Sequence, residues 1–250
     1  MDVALKQFIQ ETMRERNVDA DVQVKRLKKV TNSDFYLFQV TISVPQMNVT
    51  QDQFVLFNGN YITDDLMDVR TRSATTEQLL AEYLDTSKLS ILAGTNGAKN
   101  VVVKITDFEC PFCRKANEYI EKKLQARGSD DVVVYISHMP LNIHKKAELF
   151  ARIFEAGLLV GKNFAHELFS DDKLLDMTDA QVISYFSKQA DDSAKFRELL
   201  YSPGVDVKLE AGRSNARMLN IRSTPVLYIN GVRIDGFDEV AIDEAFKRMK

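Results

Sequence analysis

The sequence predicts an α/β domain with a helical insertion, preceded by a small α+β domain and a connecting helix. Three observations predict it. A β-branched run, Val101-Val102-Val103-Lys104-Ile105, stands just before a segment of helical period. A second apolar strand, Val132–Ser137, follows that segment. The 250 residues exceed the roughly 100–150 usual for one domain, so a second unit is expected. The boundaries read as 1–72 for the α+β module, 73–98 for a linker helix and hinge, and 99–250 for the α/β domain, with its helical insertion at about 143–218.

In the leading module, Leu5, Phe8, Ile9, Thr12 and Met13 form an i, i+3, i+4 stripe on a helix of about four turns. Strands follow. Tyr36, Phe38, Val40, Ile42 and Val44 face one way, while Leu37, Gln39, Thr41 and Ser43 face the other. Phe54–Phe57 runs into Asn58-Gly59, a hairpin signal, and on to Tyr61–Ile62 and Leu66–Val69. This module has no cysteine and no catalytic constellation. Next, Leu79, Leu80, Tyr83 and Leu84 mark a second amphipathic helix, and Thr75 and Gln78 have the spacing of a capping box. Ala93-Gly94-Thr95-Asn96-Gly97 reads as a turn or hinge.

The 33 basic and 36 acidic residues give a net charge of −3, too near zero to suggest a polyanion binder, and no Lys/Arg block runs long enough to make a nucleic-acid stripe. No apolar run approaches the roughly 18–20 residues that cross a bilayer; the best, Leu149–Val160, contains Arg152 and Glu155. Met1-Asp2-Val3-Ala4-Leu5-Lys6 has neither the basic flank nor the apolar centre of a secretion signal.

The most informative count is that of cysteine. The two, Cys110 and Cys113, sit together as Cys110-Pro111-Phe112-Cys113. A structural disulfide would close a loop worth about 2 kcal/mol, against roughly 4.7 kcal/mol for a 100-residue loop. A zinc site wants four ligands, and only three His (His138, His144 and His166) accompany the two thiols, without a second paired motif. A redox dithiol suits the context better. Cys113, Ala116, Ile120 and Leu124 recur on one helical face, Pro111 fits the first turn, and Lys122, Lys123 and Arg127 load the last, where Gly128 can end the helix. Cys110 then falls at the N-cap, where free amides and the helix dipole favour a thiolate, while Cys113 lies one turn in as the resolving thiol. Such chemistry needs no metal or organic cofactor.

With these residues in place, the sequence resembles a thioredoxin-fold disulfide oxidoreductase of the bacterial Dsb type. Three stretches carry the resemblance: Thr106-Asp107-Phe108-Glu109-Cys110-Pro111-Phe112-Cys113, His138-Met139-Pro140-Leu141-Asn142-Ile143-His144, and Ile221-Arg222-Ser223-Thr224-Pro225-Val226-Leu227-Tyr228-Ile229-Asn230-Gly231. It covers the chain from about Lys99 onward. The resemblance implies a cis Thr224-Pro225 bond facing the dithiol, with the Thr224 backbone free to pair with an extended client. It also implies the helical subdomain, for which Ala147-Phe150-Ala151-Phe154, Leu174-Leu175, Val182-Phe186 and the Leu209–Leu219 segment supply apolar periodicity. After Pro225, Val226–Asn230 and Val232–Ile234 read as a hairpin around Asn230-Gly231, and Val240–Met249 as a closing helix.

One departure concerns Lys104, six residues before Cys110, where many relatives carry a buried acid. The expected alternatives are a side chain that escapes to solvent, or a buried ammonium that helps to hold thiolate charge. Glu109 is expected to oppose thiolate formation at Cys110 modestly, and Phe112 supplies no cation, so the dithiol should be less oxidising than one with His inside the motif. His138, His144 and His166 are read as capping or packing residues, with His144 starting a helix.

The layout of module, connecting helix and catalytic domain is similar to that of the DsbC and DsbG isomerases, whose front domain dimerises; a monomeric accessory domain is the alternative. The function this implies is a dimeric disulfide isomerase or reductase acting on cysteine-containing client proteins and served by a membrane or soluble redox partner protein. A DsbA-like oxidase and a non-redox client-binding chaperone are the alternatives. Because both cysteines lie in the motif, a periplasmic setting is expected, with a leader removed; a cytosolic, glutaredoxin-like setting is the alternative.

Overall fold

The computed structural model describes residues 1–69, 73–127 and 131–249. The expected module boundary at residue 72 and the helix stop at Gly128 fall outside them. The chain divides into two compact units, Met1–Tyr83 and Leu84–Lys250.

The first unit opens with helix α1 (Asp2–Glu15), then strands β1 (Asp21–Lys29), β2 (Tyr36–Val44), β3 (Val49–Phe57) and β4 (Ile62–Thr63), which form an antiparallel sheet in that order. Leu5 and Ile9, one turn apart on α1, pack on Phe38, Val40 and Ile42 of β2 and on Val55 and Phe57 of β3. Phe8 departs from the expected stripe. It lies off the Leu5–Ile9 row and is 51% exposed. Strand β1 was not legible in the sequence. Its segment, Asp-Val-Gln-Val-Lys-Arg-Leu-Lys-Lys, is charged because an edge strand needs only one apolar face and lysine there discourages pairing with another chain. At the β3–β4 turn the Asn58 side chain accepts the amides of Asn60 and Tyr61, and Gly59 takes the positive φ of 102° that the turn requires.

A small hairpin of β5 (Met67–Asp68) and β6 (Ser73–Ala74) leads into α2 (Thr75–Ala81), which packs on β3. The expected capping box does not form: Thr75 is already inside the helix, and Ala74 occupies the cap without a side-chain bond. The cap comes from elsewhere, since Asp65 accepts the Thr76 amide at 2.9 Å. The helix is short, so Tyr83 and Leu84 lie beyond it.

The second unit is built on strands β7 (Ser90–Gly94), β8 (Asn100–Thr106) and β9 (Val132–His138), with β10 (Val226–Ile229) and β11 (Val232–Asp235). Their order is β11-β10-β8-β9-β7. The β8–β9 pair is parallel and is joined by α3 (Pro111–Arg127); the other pairs are antiparallel. Strand β7 comes from the stretch read as linker and hinge, so part of that stretch is an edge of this sheet. Gly94 ends it at φ 81°, and a Cβ there would lie 2.0 Å from the Val132 carbonyl oxygen.

Between β9 and β10 the chain runs through six helices: α4 (Ala147–Leu159), α5 (Ala165–Ser170), α6 (Lys173–Asp176), α7 (Asp179–Ser187), α8 (Ser193–Leu199) and α9 (Pro203–Met218). Phe150, Phe154, Phe164, Phe169, Phe186 and Phe196 pack there in one core with Phe108 and both cysteines. Helix α10 (Glu239–Lys247) packs on β10 and β11 through a second core that holds Ile242 and Phe246.

Candidate active site

The dithiol stands where β8 gives way to α3. The Cys110 carbonyl accepts the Arg114 amide at 3.1 Å, the first bond of the helix, which places Cys110 at the N-cap and Pro111 in the first turn, where its missing N–H costs nothing. Cys113, Ala116, Ile120 and Leu124 are all buried along one face, as their spacing predicts, and Asn117 joins them. Cys113 is wholly enclosed, whereas Cys110 retains 5% exposure and Phe112 stands out in solvent. Both cysteines are free thiols.

The Thr224-Pro225 bond is cis, and the Thr224 carbonyl oxygen lies 3.5 Å from Cys110 Sγ. The loop before β10 therefore meets the helix start at the more accessible sulfur. The two thiols have diverging acidities. A hydrogen bond from the Cys113 thiol lowers the Cys110 pKa to about 5 against the opposition of burial, and the amides of Cys113 and Phe112 at the helix start add to the effect. Burial pushes the Cys113 thiol strongly up, and its bond to Cys110 acts in the same sense. One sulfur is thus held as a thiolate at neutral pH and the other as a thiol.

A carboxylate organises the loop beneath them. Asp107, buried, accepts the amide of Glu109 at 2.8 Å, the amide of Leu141 at 2.9 Å and Nδ1 of His144 at 2.8 Å. Glu109, expected to oppose the Cys110 thiolate, accepts the Lys146 amide at 2.8 Å with its carboxylate, at the start of α4. There it satisfies a free helix amide and meets the positive end of the dipole. His144 lies in a turn three residues ahead of α4 rather than starting a helix, and is bound to Asp107.

His138 ends β9 in the interior, its Nε2 at 2.7 Å from Glu155 Oε1, while Ser90 donates to the other Glu155 oxygen at 2.6 Å. Burial alone would raise the Glu155 pKa, but the bonds from His138 and Ser90 prevail and leave it lowered. His166 is exposed on α5. Lys104 corrects the first of its two expectations, because it does not escape to solvent. It is 2% exposed, its Nζ donates to Asn117 Oδ1, and it lies 4.6 Å from the centre of the Phe169 ring. Strand β8 is central and covered on both faces, so a lysine at either parity points into protein.

Asp107, Glu155 and the Lys104–Asn117 pair were not singled out in the sequence as parts of one site. Asp107 stands three residues before Cys110 and binds the nearby Glu109 amide, the local signals, whereas its other two partners, Leu141 and His144, lie across the fold. No group of three or more His, Cys, Asp or Glu able to hold a metal ion occurs among the described residues.

A family model described as thioredoxin matches residues 86–247. The chain belongs to the thioredoxin family. Within that family its second unit has the Dsb form of the fold, with the helical insertion between β9 and β10. It is similar to a thioredoxin-like oxidoreductase from Silicibacter pomeroyi, with TM-score 0.55 and 19% identity over 67% of this chain and 95% of that one. It is similar also to the thiol-disulfide exchange protein alpha-DsbA2 from Wolbachia pipientis, with TM-score 0.56 and 14% identity over 70% and 96% of the two chains. In sequence it is 32% identical over 148 residues to the Na(+)/H(+) antiporter NhaA 1 of Mycolicibacterium vanbaalenii, a match that covers 57% of this chain and 24% of that protein. The chain thus spans about a quarter of the length of the curated relatives it matches. The thioredoxin match begins in the second unit, so the α+β module at residues 1–83 lies ahead of it.

Proposed function

We propose that this protein is a thiol–disulfide oxidoreductase in which Cys110 is the attacking sulfur, Cys113 the resolving sulfur, and Thr224-Pro225 the edge along which a client backbone lies. The observation that carries the reading is the contrast between the two thiols. Cys110 at the start of α3 has a pKa of about 5, and enclosed Cys113 is held protonated. At pH 7 a pKa near 5 leaves about 99% of the sulfur as thiolate, against a few per cent for free cysteine. The thiolate attacks a client disulfide, a mixed disulfide forms, and Cys113 then displaces the client thiolate. Pro111 and Phe112 hold the two sulfurs one turn apart, and exposed Phe112 offers the client an apolar contact.

Within this class we favour a disulfide isomerase or reductase that dimerises through the first unit. That unit is compact by itself and carries Met47, Tyr61, Met67 and Val69 in solvent, as a self-associating module would. The dithiol acidity agrees, since a pKa of about 5 lies between the roughly 7 of thioredoxin and the roughly 3.5 of the strong oxidant DsbA. The reading includes cysteine-containing clients, a redox partner protein and an oxidising compartment such as the bacterial periplasm. A DsbA-like oxidase is the second reading, supported by the Dsb form of the fold with its large helical insertion.

The test is the reduction potential together with reactivation of scrambled ribonuclease. A potential between about −270 and −120 mV, with isomerase activity from a dimer, supports the first reading. A monomer near −120 mV without isomerase activity supports the second. A chain inert toward disulfides contradicts both.

A further inference from the structure

Three stretches of chain meet at Cys110. The first is the loop and helix start around the dithiol, residues 107–115. The second is the turn before α4, residues 141–146. It is held there because Asp107 accepts the Leu141 amide and the His144 ring, and Glu109 accepts the Lys146 amide. The third is the loop before β10, whose Thr224 carbonyl oxygen lies 3.5 Å from Cys110 Sγ. Arg222 stands two residues ahead of Thr224, so its backbone is within roughly 7 Å of that carbonyl.

These stretches expose one sign of charge. Lys115, Lys145 and Arg222 stand in solvent, and none has a carboxylate partner among the described residues. The acids there are Asp107, which is buried, and Glu109, which is bound at the start of α4. The same stretches expose two apolar side chains, Phe112 at 59% and Ile143 at 81%. Lys115 Nζ lies 5.7 Å from the centre of the Phe112 ring, so charge and apolar surface adjoin. The chain as a whole carries a net charge of −3, so a rim of unpaired cations is a local departure from its composition. The thiolate does not need them: the low Cys110 pKa comes first from the Cys113 hydrogen bond, with the helix-start amides in support.

We infer, on the reading of the dithiol given above, that this rim selects client segments that are acidic and apolar around the reacting cysteine, with Lys115, Lys145 and Arg222 as specificity-determining residues. The client sulfur must come to Cys110 Sγ, and an extended chain spaces its neighbours about 3.3 Å apart. Carboxylates two or three positions from the client cysteine therefore fall within the roughly 10 Å over which exposed charges act at 0.1 M salt. The cations draw them in at encounter, while Phe112 and Ile143 receive an apolar neighbour. A bare thiolate has the opposite preference, because it repels a carboxylate. A preference for acid must come from the rim.

The test uses the full-length reduced protein and two peptides that differ only at the residues flanking one cysteine, Glu in one and Lys in the other. Each is activated as a pyridyl disulfide. The Cys110 thiolate attacks the peptide sulfur, the bond to the pyridyl sulfur breaks, and pyridinethiolate leaves and takes a proton from water. Cys110 is oxidised, joined to the peptide, and the pyridyl sulfur is reduced. Each rate is divided by that of mercaptoethanol with the same peptide, which removes intrinsic reactivity. At pH 7 and about 0.01 M salt the Glu peptide should be favoured at least about fivefold. In 1 M salt, where charges are screened beyond about 3 Å, the ratio should fall below about twofold. In the double variant Lys115→Glu, Arg222→Glu the order should invert. A Lys peptide favoured by the wild type, or a ratio that ignores salt or survives the double substitution, overturns the inference. Should the variant not fold, the wild-type ratio and its salt dependence decide. Peptides that react no faster with the protein than with mercaptoethanol contradict the oxidoreductase reading instead.

Discussion

At the scale of single residues, the site depends on Asp107 as much as on the sulfurs. Its carboxylate gathers the Glu109 amide just before the dithiol, the Leu141 amide and the His144 ring, so one side chain ties the loop that carries Cys110 to the loop that leads into α4. Asp107→Asn would turn an NH2 group toward donors it cannot accept from. The expected loss is about 2–4 kcal/mol, read as a lower denaturant midpoint with an unchanged slope. The place of Cys110-Pro111-Phe112-Cys113 at a helix start was legible because its residue types and spacing are local. The role of Asp107 was not, because two of its three partners, Leu141 and His144, come from across the fold. Lys104 was half legible: strand periodicity says which face a side chain takes, but not whether that face is covered by α3 and α5.

At the scale of elements, the helical insertion is fixed to the sheet by a close approach of backbones. On α9 a Cβ at Gly212 would lie 2.2 Å from the His138 carbonyl oxygen and 2.6 Å from its nitrogen at the end of β9. Gly212→Ala must therefore push α9 away from the strand that bears His138. We expect a loss of about 1–3 kcal/mol, seen as a lower melting temperature, although alanine is the better helix former. The same glycine was invisible to the sequence, where it stands inside an ordinary helical pattern. Most helices and the central strands were legible from apolar period. Strands β1 and β7 were not, the first because an edge strand tolerates charge, the second because five residues ending at Gly94 carry too little pattern to separate a strand from a turn.

For the whole molecule, the dithiol links redox state to stability. The Cys110 pKa falls on folding from about 8.5, that of free cysteine, to about 5, so the folded reduced chain has lost a proton that the unfolded chain keeps. The stabilisation is complete above the unfolded pKa and is lost as pH falls through about 5. The oxidised chain has no such titration. The stability of the reduced form relative to the oxidised form should therefore rise by about 1.4 kcal/mol per pH unit between about pH 5 and 8, and stay flat below pH 5. Paired melts of the two forms across that range check this. The two-unit organisation was legible from chain length and from the change of pattern along it. The limit between the units was less so, because β7 belongs to the second sheet though its sequence reads as connection.

The central claim is that the sulfur at the start of α3 is a stable thiolate. Its most direct test is the rate of Cys110 alkylation by iodoacetamide as a function of pH, with labelling located by mass spectrometry. The account predicts a midpoint near 5 and labelling of Cys110 well ahead of Cys113. A midpoint near 8.5, that of free cysteine, or a Cys110 that does not react, would contradict it.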